Sequence, residues 1–272
     1  MPYCAANGAR IHYTDTGIPA SGSDETIVFS HGLLWSGRMF AAQVASLSAR
    51  YRCITFDHRG QGRSGVTDSG YDMDTLTEDA AQLVQALGAT PCHFVGLSMG
   101  GFVGMRLAIR RPDLLRSLIL LETTAAPEPA ANVGRYRRLN FVARWVGFRP
   151  VAGPVMSIMF GRKFLTDPAR AADRENMRRQ LFANDRIGIT RAVAGVIARE
   201  GVTDQLARIH LPTLIAVGDQ DVATVPAESM RLRDAIDGAQ LVIIPGAGHT
   251  SSVEEAALVT ATIADFLAQL RA

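Results

Sequence analysis

The sequence predicts an α/β protein: a mostly parallel sheet with helices on both faces and a helical insertion in its second half. Three observations carry this. Short apolar runs alternate with segments of helical spacing, the pattern of strand–helix–strand units. Runs such as Thr26–Ser30 and Leu115–Leu121 are apolar almost throughout, as strands covered on both faces are. From Thr123 to about Ala207 the alternation stops, only helix-like patterns remain, and the strand–helix order then resumes.

Taken in order, Arg10–Asp15 alternates in polarity and reads as an early antiparallel strand. A polar turn over Ser21–Asp24 leads to the strand Thr26–Ser30, which ends in the loop His31-Gly32-Leu33-Leu34-Trp35-Ser36-Gly37. Arg38–Ala49 has helical spacing through Phe40, Val44 and Leu47. Arg52–Asp57 is the next strand and runs into the glycine-punctuated turn His58–Gly65. Thr75 opens a helix, with Glu78 spaced for a capping box and Gly88 past its end. The strand Cys92–Val95 then meets Gly96-Leu97-Ser98-Met99-Gly100, followed by a helix over Phe102–Arg111 that Pro112 ends. After the strand Leu115–Leu121 and the linker Ala125–Pro129, helix-like pieces cover Tyr136–Val146, Gly153–Phe160, Asp167–Asn184 and Ile187–Arg199. A helical insertion of this length fits best as a cap over the sheet's carboxyl edge. The strand Thr213–Val217, the turn Gly218–Asp221, a helix over Pro226–Ile236, the strand Leu241–Ile244, the turn Pro245–His249 and an amphipathic helix Val253–Leu270 complete the chain.

Composition bounds the function classes. The chain has 272 residues and a formal charge of +2, too slight a balance to argue for nucleic acid or an anionic membrane. No basic start followed by an apolar core marks a signal peptide, and the apolar runs are too short to span a bilayer. Cys4, Cys53 and Cys92 are at no metal-ligand spacing and read as reduced thiols of a cytoplasmic protein. A homo-oligomer stays open.

The chemistry gathers at strand ends, where parallel sheets build their sites. Ser98 sits in Gly-x-Ser-x-Gly between a strand and a helix, so a tight turn exposes its hydroxyl while the helix N-terminus points its N–H groups at the same place. A serine needs a base, and the base needs a carboxylate. His249, in a glycine-rich loop after the last strand, is better placed than His12, His31, His58, His93 or His210. His12 reads as an edge-strand residue and His93 as a structural one. Asp221 suits the carboxylate role, Asp219 reads as turn chemistry, and Glu122 at the neighbouring strand end is a rival. The backbone N–H groups of Met99 and Leu33 are the expected oxyanion donors. Leu34, Trp35, Met156 and Phe160 are the expected substrate-binding residues, although Met156 and Phe160 also suit the cap's own core. The cap arginines are candidates for a substrate carboxylate, or a solvated face.

His31-Gly32, Asp57–Ser64, Gly96–Gly100, Gly218–Asp221 and Gly246–His249, in this order, resemble the α/β-hydrolase fold superfamily over essentially the whole chain. Their wording is most similar to small bacterial esterases and enol-lactonases. The resemblance implies an eight-stranded, mostly parallel sheet, with residues 1–124 and 208–272 as core and 125–207 as a helical cap inserted after the sixth strand. It also implies Asp221 as the acid in a Ser98–Asp221–His249 triad, and Leu33 as the second oxyanion donor. The expected function is therefore hydrolysis of a small-molecule carboxylic ester or lactone through an acyl-enzyme, with no metal or cofactor. Perhydrolysis or carbon–carbon bond hydrolysis on the same triad, and a non-catalytic ligand receptor of the same fold, are the alternatives. Serine at position 98 disfavours relatives that use aspartate there, and Leu33-Leu34 lacks the Gly-Pro-Gly of the carbon–carbon hydrolases.

Overall fold

The computed structural model describes residues 2–20 and 22–271, so Ser21 of the expected polar turn lies outside the described residues. Eight strands form one sheet: β1 (Tyr3–Ala6), β2 (Ala9–Asp15), β3 (Thr26–Ser30), β4 (Arg52–Phe56), β5 (Cys92–Leu97), β6 (Leu115–Leu121), β7 (Thr213–Gly218) and β8 (Gln240–Ile244). Their order across the sheet is β1-β2-β4-β3-β5-β6-β7-β8. The β1–β2 and β2–β4 pairings are antiparallel, and every pairing from β4 through β8 is parallel.

The helices follow the same chain order: α1 (Ala41–Leu47), α2 (Met73–Ala86), α3 (Met99–Arg110), α4 (Ala130–Trp145), α5 (Ala152–Met159), α6 (Arg162–Thr166), α7 (Ala171–Phe182), α8 (Arg186–Ile197), α9 (Pro226–Ala235), α10 (Ser251–Glu254) and α11 (Ala256–Gln269). No helix among the described residues is long and apolar enough to cross a membrane.

Period-two strands explain the two cores. Val28, Phe94, Leu118 and Leu120 point to one face and pack with α2, α3 and α9. Ile27, Phe29, Val95, Ile119 and Leu121 point to the other and pack with α1 and α11. Both faces are covered, which is why β3 and β5 are buried at every position. Each such side chain removed from water contributes about 1.5–3 kcal/mol, so the central strands anchor whatever their ends carry. The second core runs on into Met156, Phe160 and Phe164, so the helices after β6 share it.

Several elements differ from expectation for local reasons. β1 is short and half exposed, without an alternation long enough to register, and it makes β2 an interior strand; His12 is therefore not on an edge. Helix α2 starts at Met73, because Asp72 accepts the Thr75 N–H (2.8 Å) and is the true N-cap. The Arg38–Ala49 segment opens with a 3-10 turn before α1, and the Asp167–Asn184 segment opens with a 3-10 turn before α7. The closing helix breaks at Glu255, whose backbone is non-helical (φ −124°, ψ 51°).

Candidate active site

Ser98 ends β5 and opens α3 with φ +52° and ψ −110°, a conformation L-residues rarely adopt. Two glycines make the turn feasible. A Cβ on Gly96 would strike the Gly100 carbonyl, and one on Gly100 would strike the Ser30 carbonyl at the end of β3. The Ser98 N–H donates to Leu121 O (2.9 Å) and the Thr123 hydroxyl donates to Ser98 O (2.9 Å), which ties the turn to β6.

His249 lies beyond β8, with Nε2 2.8 Å from Ser98 Oγ and Nδ1 2.8 Å from Asp221 Oδ2. A carboxylate only accepts, so Nδ1 carries the hydrogen and Nε2 is free to accept the Ser98 proton. Asp221 also accepts from Ala223 N–H (2.8 Å), Thr224 N–H (3.0 Å) and the Thr224 hydroxyl (2.9 Å). Burial pushes the Asp221 carboxyl up, but the His249 imidazole and these donors outweigh it and leave the carboxyl below its usual range.

Two residues that escaped the sequence reading hold this arrangement. Glu254 Oε1 accepts the N–H groups of Gly248 and Thr250 (both 3.0 Å), on either side of His249. Its Oε2 accepts Gly161 N–H (2.7 Å), at the start of α6. Burial raises the Glu254 carboxyl, against these three N–H donors. Gln61 Oε1 accepts Leu34 N–H (3.0 Å), and Gln61 Nε2 donates to Met99 Sδ (3.7 Å), so one amide bridges the loop after β3 and the start of α3. Gln61 lies in the glycine-punctuated turn after β4, a position that signalled a turn and nothing more specific.

The N–H groups of Leu33 and Met99 have no acceptor among the described residues. Leu34 is held at φ +78°, which shapes that loop. His31 contributes through its ring: Nδ1–H donates to Gly32 O (2.7 Å) and Nε2 accepts His58 N–H (2.9 Å). His58 pairs with Ser30 Oγ (2.8 Å), and burial holds its imidazole well below the ordinary histidine value. His93 pairs with Ser117 Oγ (2.8 Å) and is pushed down to about 4 by burial. Neither bonds to Ser98. Asp219 accepts Gly246 N–H (2.8 Å), so it braces the turn before His249 across the chain and not its own backbone.

Ser98 and His249 open into a cavity of about 980 Å³, part of it open to solvent. Leu33 and Leu34 line it from the sheet side, and residues of α4, α5 and α8 line most of the rest. Trp35, Met156 and Phe160 do not. Trp35 and Phe160 pack on each other (5.8 Å between centroids) within the second core, together with Met156, and Trp35 borders a separate cavity beside Asp57 and His12. On α5 it is Val155, Ile158 and Met159 that face the Ser98 cavity. The helices after β6 are tied to the sheet's carboxyl edge: Asn184 Nδ2 donates to Leu34 O and the Thr250 hydroxyl donates to Met159 O (both 2.8 Å). Among the described residues, no group of three or more His, Cys, Asp or Glu side chains is arranged to hold a metal ion.

The family model described as the alpha/beta hydrolase fold matches residues 25–256. A relative from Variovorax paradoxus (strain S110), provisionally named carbamate hydrolase RutD, is 32% identical over 96% of this chain and 97% of its own length. The crystal structure of the enol-lactonase from Burkholderia xenovorans LB400 has a TM-score of 0.91 and 30% identity, covering 98% of this chain and all (100%) of that one. A thermophilic esterase from Thermogutta terrifontis is similar at a TM-score of 0.88 and 28% identity, over 97% of this chain and 95% of that one.

Proposed function

This chain belongs to the α/β hydrolase fold family, and we propose that it is a serine hydrolase that cleaves a small-molecule carboxylic ester or lactone. The observation that carries the reading is the unbroken relay from Asp221 through His249 to a strained Ser98, opening into an apolar cavity. The likeness to an enol-lactonase and an esterase supports the same substrate class. We assign residues 125–207 the role of a cap that walls this cavity.

In the proposed reaction Ser98 Oγ attacks the carbonyl carbon while its proton passes to His249 Nε2. Asp221 keeps the imidazole in the required tautomer and balances the imidazolium. The carbonyl oxygen becomes an oxyanion held by the Leu33 and Met99 N–H groups; one such donor is typically worth about 2.7–4 kcal/mol in the transition state. Collapse expels the alcohol, or opens the lactone ring, and the departing oxygen takes the proton from His249. Water then attacks the acyl group on Ser98, His249 accepts its proton, and the acid leaves as Ser98 regains its hydrogen. Every step uses a side chain or backbone group of this chain.

The test is a hydrolysis screen over p-nitrophenyl esters, small lactones and a carbamate ester, the last because of the carbamate hydrolase name. Native protein is compared with Ser98→Ala, with and without peroxide, alongside organophosphonate labelling. Turnover that Ser98→Ala abolishes supports the reading, and peracid formation with peroxide would move it to perhydrolysis. Labelling of Ser98 without turnover would point to a receptor, and neither labelling nor turnover would remove Ser98 as the nucleophile.

A further inference from the structure

Building on that reading, we propose that Arg199 and Glu128 form a subsite for a neutral substrate group that accepts hydrogen bonds, such as a primary amide or a hydroxyl, and that it disfavours a carboxylate. Most of the cavity next to Ser98 is hydrocarbon, but Arg199 and Glu128 line it too. Arg199 is the one arginine among the lining residues, so the arginine-rich surface of α4 and α7 is not what the substrate meets.

The Arg199 guanidinium is already largely committed. Nε donates to Ala126 O (3.2 Å), and Nη1 donates to Glu128 Oε2 (2.7 Å) and Val196 O (3.0 Å). Its plane lies over the Phe102 ring, 4.4 Å from the centroid, and Phe102 is one helical turn beyond Ser98. Both side chains of the Arg199–Glu128 pair are buried. Glu128 Oε1 accepts Asn132 Nδ2 (3.1 Å), which fixes the carboxylate in place. Arg199 Nη2 donates to no acceptor among the described residues.

This combination discriminates by charge. The arginine is neutralised in place, so a second carboxylate would gain little attraction and would face Glu128 across a poorly solvated wall. A neutral amide has no such penalty: its oxygen can accept from Nη2, a charge-assisted bond.

The experiment compares p-nitrophenyl esters of matched acyl length whose far ends are methyl, primary amide or carboxylate, across a series of lengths. In the wild type, the best amide-ended ester should exceed its carboxylate partner by about tenfold or more in kcat/KM. Glu128→Gln should narrow or reverse that ratio, because it frees the arginine charge. Arg199→Met should bring the amide-to-methyl ratio toward one. The double variant Glu128→Leu/Arg199→Met leaves no lone buried charge and gives the same reading if Arg199→Met does not fold. A wild-type preference for the carboxylate, or ratios that none of the variants shifts, overturns the subsite. Calorimetric binding of the matching methyl esters to Ser98→Ala reads recognition without turnover. An amide preference in binding with no wild-type hydrolysis would sink the esterase reading and keep the subsite. Hydrolysis without that preference, or no preferential binding of the amide, would sink the subsite.

Discussion

Glu122 follows β6 and Asp221 follows β7, so two neighbouring strands each deliver a buried carboxyl group to the same edge of the sheet. Their surroundings differ. Asp221 receives three hydrogen bonds from the turn Ala223–Thr224 and one from His249, and stays charged. Glu122 is fully buried, held at φ +43°, and neither of its oxygens has a hydrogen-bond partner among the described residues. Ser251 and the Gly218 N–H approach it and lower its pKa somewhat, but stop short of hydrogen-bond geometry. Burial, with the charges of Asp221 and Glu254 nearby, pushes it well above the ordinary glutamate value. Donors, and not position at the sheet edge, decide which carboxyl can hold an imidazole.

The sharpest way to break this comparison is to neutralise each acid. Asp221→Asn should lower kcat on a p-nitrophenyl ester by about 10⁴-fold. Glu122→Gln should change it by no more than about threefold, since glutamine resembles an acid that is already neutral. A collapse of activity in Glu122→Gln would reverse the assignment. A smaller effect is expected at Glu254, which touches neither Ser98 nor the His249 ring. Glu254→Ala frees three buried N–H groups around His249 and should cost up to about 10²-fold in kcat, with KM nearly unchanged. A loss of total activity that tracks the unfolded fraction, with the surviving folded enzyme fully active, would reduce Glu254 to a packing role.

The smallest effect concerns pH and stability. A carboxyl whose folded pKa is raised contributes stability that is fully present below its unfolded value, near 4.5, and is lost as pH rises toward the folded one. Glutamine does not titrate. The thermal midpoint of Glu122→Gln relative to wild type should therefore climb as pH increases above that value, with both proteins followed by circular dichroism. A difference independent of pH would mean that Glu122 is ionised in the folded protein.

Much of the fold and the reacting groups was legible because the signals are local. Continuous apolar runs gave β3 through β8, and Gly-x-Ser-x-Gly between strand and helix located Ser98. β1 was lost because four residues, of which only Ala6 is buried, carry no period. The acid was only partly legible: Glu122 and Asp221 both follow strands, and nothing in their spacing reveals which one is supplied with donors. The cavity wall was the least legible part. On α5, Met156 and Met159 are alike in chemistry and three residues apart, and both pack in the second core, yet only Met159 also lines the cavity. On α4, Tyr136, Leu139, Asn140 and Ala143 face the cavity while Arg137, Phe141 and Trp145 face outward, so apolar residues lie on both sides and no amphipathic stripe marks the inner face. Arg199, Glu128 and Glu254 were hidden for a related reason: each works through partners distant in sequence, among them Phe102 and Gly161.

The most direct test of Ser98 as the nucleophile is rapid acid quenching of the enzyme with a p-nitrophenyl ester, followed by peptide mass spectrometry. A burst of p-nitrophenol and an acyl group on Ser98, at up to about one per chain, are the expected result, with both absent from Ser98→Ala. Turnover with no acyl group on Ser98, or with the acyl group on another residue, would contradict it.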